Sequence, residues 1–265
     1  MITSWNINNM VGTQDWSEMD DATKENERKK FRDYIMSYII SRLKNNNDVF
    51  FIHELPKTEV QWLSDTIAEK LPGFTLAVPE SLGKINTVAV YAPHVYNFGV
   101  NHYICCRGTY GKKKFGNGAY INRIICLRNK KDKHLLVGVH VKSEDTFTFY
   151  QLLSNVHSDL HENTSVIYMG DFNACAPYKP AKSLLYGFMS LGLADIWLES
   201  GGRSTTQTHK DGMRLDYALT DSGSIQTMLR KYKMYIDNTV PMLSDHCPII
   251  LSEKELDGLI TAGKD

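Results

Sequence analysis

The chain has 265 residues, enough for one large domain or two small ones. Its 30 basic and 30 acidic side chains cancel, so no global field marks a polyanionic partner, and any preference for phosphate has to come from local patches. A composition of 42% hydrophobic and 23% charged residues is ordinary for a soluble globular protein, and no apolar run reaches the ~20 residues of a membrane-spanning helix.

In chain order, a strand-like run from Ile2 to Ile7 comes first. Phe31, Ile35, Ile39 and Leu43 then repeat every four residues after the polar run 24-KENERKK-30, which predicts an amphipathic helix. A strand follows from Val49 to His53, and Val60, Leu63, Ile67 and Leu71 mark a second helix between Thr58 and Leu71. Strands are predicted from Thr87 to Tyr91, Tyr120 to Leu127 and Leu135 to Val141. A third helix carries Phe149, Leu152, Leu153, Val156 and Leu160. The last strands run from Val166 to Met169, Leu215 to Leu219 and Cys247 to Leu251. Several of these runs are short and nearly all apolar, as expected for strands buried on both faces. Strands and helices mix without strict alternation, and residues 74–141 are almost all strand and turn. A sheet-on-sheet core with helices outside is therefore the expected architecture. No linker, repeat or low-complexity tract divides the chain, so one domain is expected over residues 1–265, with a short tail from about residue 253.

The opening Met1-Ile2-Thr3-Ser4-Trp5-Asn6 has no basic segment followed by an apolar stretch, so no secretory signal is expected. Cys105, Cys106, Cys126, Cys175 and Cys247 form no CxxC pair. That pattern suits reduced thiols and a cytoplasmic protein rather than a zinc site built on cysteines.

The informative residues are polar ones at strand ends. The run Val166-Ile167-Tyr168-Met169 ends in Gly170-Asp171-Phe172-Asn173. Alone, that reads as a turn. Yet Asn6, His53-Glu54, His140, Asp216 and Asp245-His246 hold similar places on other strands. Carboxylates are rarely buried without a partner or a metal. Oxygen ligands without a cysteine cluster favour a hard cation such as Mg²⁺ or Mn²⁺. Asp and His can serve as general base and phosphate contact, and Asn can stabilise a developing anion. Hydrolysis of a phosphate ester uses all of these together.

The stretches 3-TSWNI-7, 52-IHE-54, 137-VGVHVKS-143, 170-GDFN-173, 214-RLDY-217 and 244-SDHCP-248 occur in the order found in the endonuclease/exonuclease/phosphatase superfamily, and the chain resembles its members from residue 3 to about residue 251. The resemblance implies a DNase I-like α/β fold, a four-layer sandwich of two mixed, mainly antiparallel sheets flanked by helices. It implies Glu54 as the principal Mg²⁺ ligand, with Mn²⁺ able to substitute, Asp245 near the metal, and Asn6 positioning groups around it. Asp171 would orient and deprotonate the attacking water, and Asn173 would hold that aspartate and the phosphate oxygens. His246, its ring oriented by Asp216, and His140 would contact the phosphate.

The sequence departs from the pattern in places. His53 stands where a glutamine usually precedes the glutamate, which bears on a hydrogen bond near the metal. Asn8 replaces an acidic residue of some abasic-site endonucleases, and those enzymes place Tyr and Asn where this chain has Gly138-Val139-His140. Val-His-Val-Lys is closer to the DNase, deadenylase and phosphodiesterase side, which disfavours abasic-site repair.

His157 and His161, four apart, lack the glutamate of a zinc-protease helix and read as a solvated face. Gly111, Gly116 and Gly118 around Lys112-Lys113-Lys114 read as a hairpin tip. From Arg107 to Lys133 there are nine basic residues, Arg123 among them, and one acidic, Asp132. That segment is either a solvated loop or a basic arm. As an arm it has Tyr110, Phe115 and Tyr120 interleaved for a nucleic-acid backbone and unpaired bases, with Lys112, Lys113, Lys114 and Arg123 as substrate contacts. A lysine triplet argues against a membrane hairpin. The leading expectation is thus a Mg²⁺-dependent nuclease on DNA or RNA, monomeric and without a membrane partner. A phosphatase or phosphodiesterase of a small molecule (inositol phosphate, nucleotide or lipid head group) is the alternative, and an inactive binding protein on the same scaffold is the third.

Overall fold

The computed structural model describes residues 1–11, 17, 19–98, 120–132, 134–160, 165–174, 179–240 and 243–254. In chain order its strands are β1 (Ile2–Asn6), β2 (Val49–Pro56), β3 (Thr75–Ala77), β4 (Ile85–Tyr91), β5 (Tyr96–Phe98), β6 (Ile124–Asn129), β7 (Leu135–His140), β8 (Val166–Asp171), β9 (Leu193–Asp195), β10 (Asp216–Asp221), β11 (Tyr232–Ile236) and β12 (Ile249–Glu253). Its helices are α1 (Asp21–Arg42), α2 (Val60–Lys70), α3 (Thr146–Leu160), α4 (Lys179–Met189), α5 (Ile196–Glu199) and α6 (Ile225–Lys231).

The strands form two six-stranded sheets, ordered β11-β12-β1-β2-β4-β3 and β5-β6-β7-β8-β10-β9. Each sheet is antiparallel except for one central parallel pair, β1 with β2 and β7 with β8. A parallel pair needs a crossover, and α1 and α3 supply them. The unit β1-α1-β2-α2-β3-β4 thus repeats as β7-α3-β8-α4-β9-β10, with the same strand neighbours in both halves. The repeat brings polar residues to the ends of both parallel pairs, Asn6 opposite His53 in one sheet and His140 opposite Asp171 in the other.

Alternation along the strands builds three cores. Val49 and Phe51 point between the sheets with Leu136, Ile167 and Ala218. Phe50 and Ile52 point the other way, onto Phe31, Ile35, Leu63 and Ile67 of α1 and α2. Val137, Val139 and Tyr168 face Phe149, Leu153, Leu185 and Phe188 of α3 and α4. These layers match the sandwich expected from the sequence. Among the described residues, no helix is long and apolar enough to cross a membrane.

Some expectations shift. The strand predicted from Tyr120 starts only at Ile124, because Tyr120 takes a left-handed φ of 72° and a 3₁₀ turn, Ile121–Arg123, intervenes. His157 does not lie on a solvated face: it is buried, its Nδ1 is 3.2 Å from the Tyr168 hydroxyl, and its ring meets Phe188 edge-on. His161, and Lys112, Lys113 and Lys114 of the segment the sequence reads as a hairpin, lie outside the described residues.

Gly170 has a clear reason in the packing. A Cβ there would sit 1.9 Å from the Val139 carbonyl oxygen and 2.9 Å from Nε2 of His53, on a backbone whose φ is +148°. Only glycine lets β8 approach β7 and the buried histidine this closely. Gly170→Ala is therefore expected to destabilise the fold by at least ~3 kcal/mol, through strain and overpacking together. Denaturant unfolding measures this, and a midpoint within error of wild type would refute the packing account.

Candidate active site

The polar residues converge where β1, β2, β7 and β8 end and β10 begins. Glu54 arrives there through a bulge: the β2–β4 register passes from Ile52 opposite Val88 to Leu55 opposite Asn86, so β2 gains one residue. Glu54 absorbs it with a left-handed φ of 60°, a conformation that costs a side-chain-bearing residue about 1–2 kcal/mol. Two results follow. The Glu54 side chain reaches the open end of the sandwich, and His53 turns inward. His53 is fully buried, bonded to Ser4 Oγ (2.9 Å) and Thr87 Oγ1 (3.2 Å). Burial, with the charges of His140, His246 and Arg123, holds its pKa well below 6.5, so the ring is neutral. His53 therefore supports the inter-sheet core, where the sequence pattern suggested a hydrogen bond beside the metal.

Asn6 sits at the centre of the cluster. Its Nδ2 lies 3.0 Å from Asp171 Oδ2, 3.3 Å from Glu54 Oε1 and 3.5 Å from His246 Nε2. Its Oδ1 accepts the Asn8 N–H at 3.0 Å, which fixes the amide's orientation. Asp171 Oδ1 accepts the backbone N–H of Asn173 (2.8 Å), and Asn173, at a left-handed φ of 47°, donates through Nδ2 to the Val141 carbonyl (2.6 Å). His246 Nδ1 is 2.9 Å from Asp216 Oδ2, and its Nε2 is 3.7 Å from Asp171 Oδ2. His140 Nε2 is 3.2 Å from Glu54 Oε1, and Arg123 Nη1 lies 2.9 Å from His140 Nδ1. Asp245 stands one step aside, with Oδ2 3.5 Å from His209 Nε2. Among the sequence-derived site residues, Asn6, Glu54, His140, Asp171, Asn173, Asp216 and His246 thus form one contact network, and Arg123 and Asp245 border it.

Some contributors left no signal in the sequence. His209 lies in the polar run 206-TQTHKDG-212, which reads only as a loop, yet it bridges to His246 as an isolated β-pair. Thr208 Oγ1 accepts the N–H groups of Leu215 (2.9 Å) and Asp216 (3.0 Å), setting where Asp216 points. Arg214 grips Asp195 with two 2.8 Å bonds, a buried pair that ties this loop to β9.

The electrostatics separate the two carboxylates. Burial raises the Glu54 carboxyl, but the hydrogen bond and charge of His140, the Asn6 amide and the His246 charge outweigh it and bring the pKa to about 2. Asp171 goes the other way: burial and the Asp216 charge raise it, against His246, His140 and the Asn173 N–H. For His246, burial is overcome by the charges of Asp216, Asp171 and Asp245, which lift the pKa to about 10. Glu54 is therefore a permanent anion and His246 a cation at neutral pH, with a more basic carboxylate between them.

Those donors suit a hard divalent cation. Glu54 and Asp171 offer oxygens with one ligand atom each, and His140 a nitrogen, all within 4.8 Å of one another. Glu54 is ionised and partly exposed, as a ligand must be. A sandwich of two sheets with ionised carboxylates, histidines and asparagines gathered at one end is the architecture of the DNase I-like phosphoesterases. The chain belongs to the endonuclease/exonuclease/phosphatase family, whose sequence pattern matches residues 3–246. Members of that superfamily are metal-dependent phosphoesterase hydrolases. Among solved structures it is similar to the 3′ phosphatase NExo from Neisseria bound to a product DNA hairpin (TM-score 0.62, 16% identity, covering 96% of this chain and 98% of that one). It is also similar to an AP endonuclease from Archaeoglobus fulgidus (0.63, 13%, 96% and 98%) and to TDP2 from D. rerio complexed with a single-strand DNA product (0.54, 16%, 94% and 96%). No curated protein sequence matches the chain.

The His246 charge predicts a pH dependence of the metal-free protein. Its folded pKa of about 10 lies above the ordinary 6.5, so its stabilisation is complete below 6.5 and is lost as pH rises toward 10. The slope is on the order of 1 kcal/mol per pH unit in that window, and His246→Gln should flatten it. Urea unfolding in chelator at about pH 6 and about pH 9 checks this. Identical pH slopes for both proteins would contradict the charged His246–Asp216 pair.

Proposed function

We propose that the protein is a divalent-metal-dependent phosphodiesterase, acting on DNA or RNA, that hydrolyses its substrate by attack of an activated water. The observation that carries the reading is the splitting of Glu54 from Asp171, two carboxylates joined through one asparagine amide and driven in opposite directions by their surroundings. Such splitting supports separate roles for the two groups. Glu54, with Asp245, would hold Mg²⁺ or Mn²⁺. Bound there, the cation supplies Lewis-acid stabilisation of charge on the phosphoryl oxygens. Asp171, raised in pKa and held by Asn6 and Asn173, takes the proton of the attacking water as the new P–O bond forms; the ester bond breaks with its electron pair on the departing oxygen, which takes a proton from solvent. Protonated His246, its ring fixed by Asp216, donates to a phosphate oxygen. Arg123 adds a positive charge, His140 is a second phosphate contact, and Lys112, Lys113 and Lys114 would meet the substrate backbone. In this reading the active species is a cytoplasmic monomer, one domain over residues 1–265 with a tail from about residue 253, and no membrane takes part.

One observation favours a second reading. The groove beside His246, about 480 Å³, is lined by Arg203, Thr205, Thr206, Gln207, Lys210 and Asn238 around the site residues, with no aromatic ring among them. A wall of hydrogen-bonding side chains suits a small, polar phosphate ester as well as a sugar–phosphate chain.

Glu54→Gln should abolish metal-dependent turnover, with partial recovery in excess Mn²⁺, because one ligand charge is lost. Asp171→Asn should cost at least ~100-fold in kcat while substrate binding persists. Rates on single- and double-stranded DNA, RNA and inositol phosphates with and without EDTA test both. Full activity in EDTA, or near-normal kcat in Asp171→Asn, would refute the mechanism.

The substrate class has its own test. If Lys112, Lys113 and Lys114 neutralise phosphates, binding should fall with salt by a log–log slope of about −0.7 to −0.9 per contact. Reversal of all three to glutamate should raise KM for a long oligonucleotide and flatten that slope, leaving a small phosphodiester nearly untouched. Equal effects on both substrates would remove the hairpin as a nucleic-acid arm.

A further inference from the structure

We propose that His209, Asp245 and His246 form a second cation site, selective for borderline-soft divalent ions and Zn²⁺ foremost. One ligand atom from each of the three lies within 4.8 Å of the others, and the two imidazole rings are 4.7 Å apart between centroids at 76°. The backbone holds them together: His209 and His246 face each other as an isolated antiparallel bridge, and the Cys247 N–H donates to the Thr208 carbonyl at 2.8 Å. Both partners of Asp245 are thus set by main chain rather than by side-chain chance.

The donor chemistry differs from that around Glu54. Two imidazoles and one carboxylate, with the remaining position open to a 480 Å³ groove, match an open zinc site, whereas Mg²⁺ takes oxygen donors. Zinc ligands bound at about 2.0–2.1 Å lie roughly 3.3 Å apart, so small side-chain rotations close the set. The Nδ1 of His246 points to the same use. His246 Nδ1 is 2.9 Å from Asp216 Oδ2. His209 Nδ1 accepts the Asp211 backbone N–H at 3.2 Å, so a cation on its Nε2 requires that bond to be exchanged for one to the Asp211 carboxylate, 3.6 Å away. A cation on Nε2 places the ring proton on Nδ1; Asp216 stands in place to accept it from His246, and the Asp211 carboxylate is the acceptor His209 would turn to. Carboxylates behind histidines in this way orient metal ligands and raise their basicity.

The site shares Asp245 with the Mg²⁺ reading, so the two ions compete for it. Zn²⁺ also occupies the imidazole that the proposed reaction needs for phosphate. It acts there as an inhibitor, a consequence that rests on the function proposed above; the binding does not.

The experiment therefore reads binding first, on the full chain freed of metal. Zn²⁺ affinity is measured by competition with a chromophoric chelator in excess Mg²⁺, and Zn X-ray absorption counts the imidazoles. One Zn²⁺ per chain with two imidazoles in its shell is expected. Asp211→Asn should weaken it about tenfold, and His209→Gln at least ~100-fold, since losing a ligand costs no less than losing the carboxylate behind it. Unchanged affinity in His209→Gln, or a wild-type shell with fewer than two imidazoles, would overturn the proposal; the absorption measurement needs no variant to fold. Zn²⁺ inhibition of phosphate-ester hydrolysis, relieved in His209→Gln, tests the consequence separately. A chain that binds Zn²⁺ as expected but hydrolyses no ester would sink the proposed function and leave the site standing.

Discussion

The amide nitrogen of Asn6 joins the two sheets where the chemistry lies. It reaches Glu54 in its own sheet and Asp171 in the other, at 3.3 and 3.0 Å. An NH₂ group has two protons, and here three acceptor positions stand within 3.5 Å. The conflict resolves through charge: His246, lifted in pKa by its three aspartates, is itself protonated and needs no proton from Asn6. The Asn6 protons then go to the two carboxylates. Each end of this arrangement is tied by main chain. Ser244 Oγ donates to the Asn6 carbonyl at 2.6 Å, and Trp5 Nε1 donates to the His246 carbonyl at 3.1 Å. The loop bearing His246 is thereby clamped to the end of β1.

The repeated strand-helix-strand unit explains why such a site exists at all. Two parallel pairs, one per sheet, end side by side, and each offers polar residues beyond its last buried apolar one. The halves then diverge. In the first, a bulge spends left-handed strain at Glu54 to bring one carboxylate outward and send His53 into the core. In the second, Gly170 lets β8 press against β7, and Asp171 stays buried. Different burial and different partners lower the pKa of one carboxylate and raise that of the other.

How much of this the sequence revealed follows from how local each signal is. The long helices were legible because Phe31, Ile35 and Ile39, or Val60, Leu63 and Ile67, fill one face. The central strands were legible as apolar runs, since both faces are buried. The three-residue strands β3, β5 and β9 were not, because so short an edge is defined by its partner rather than by its own residues. Helix α4 and strand β11 also passed unread. Within the site, polar residues at or beside apolar runs stood out: Glu54, His140, Asp171 and Asp216. His209 did not, because only the bridge to His246 places it there. The solvated face expected for His157 failed for the same reason: Tyr168 and Phe188, which enclose it, are remote in sequence until the sheet and α4 meet.

The central claim is that residues from both sheets form a single phosphate-hydrolysing centre beside a cation held by Glu54. The most direct measurement is a crystal soaked with Mn²⁺ and inorganic phosphate, read by anomalous scattering at the manganese edge. The account predicts an anomalous peak at the Glu54 carboxylate with phosphate beside it, within hydrogen-bonding reach of His246 and Asn173. Manganese bound elsewhere, or phosphate seated away from the Asn6–Asp171–His246 cluster, would contradict it.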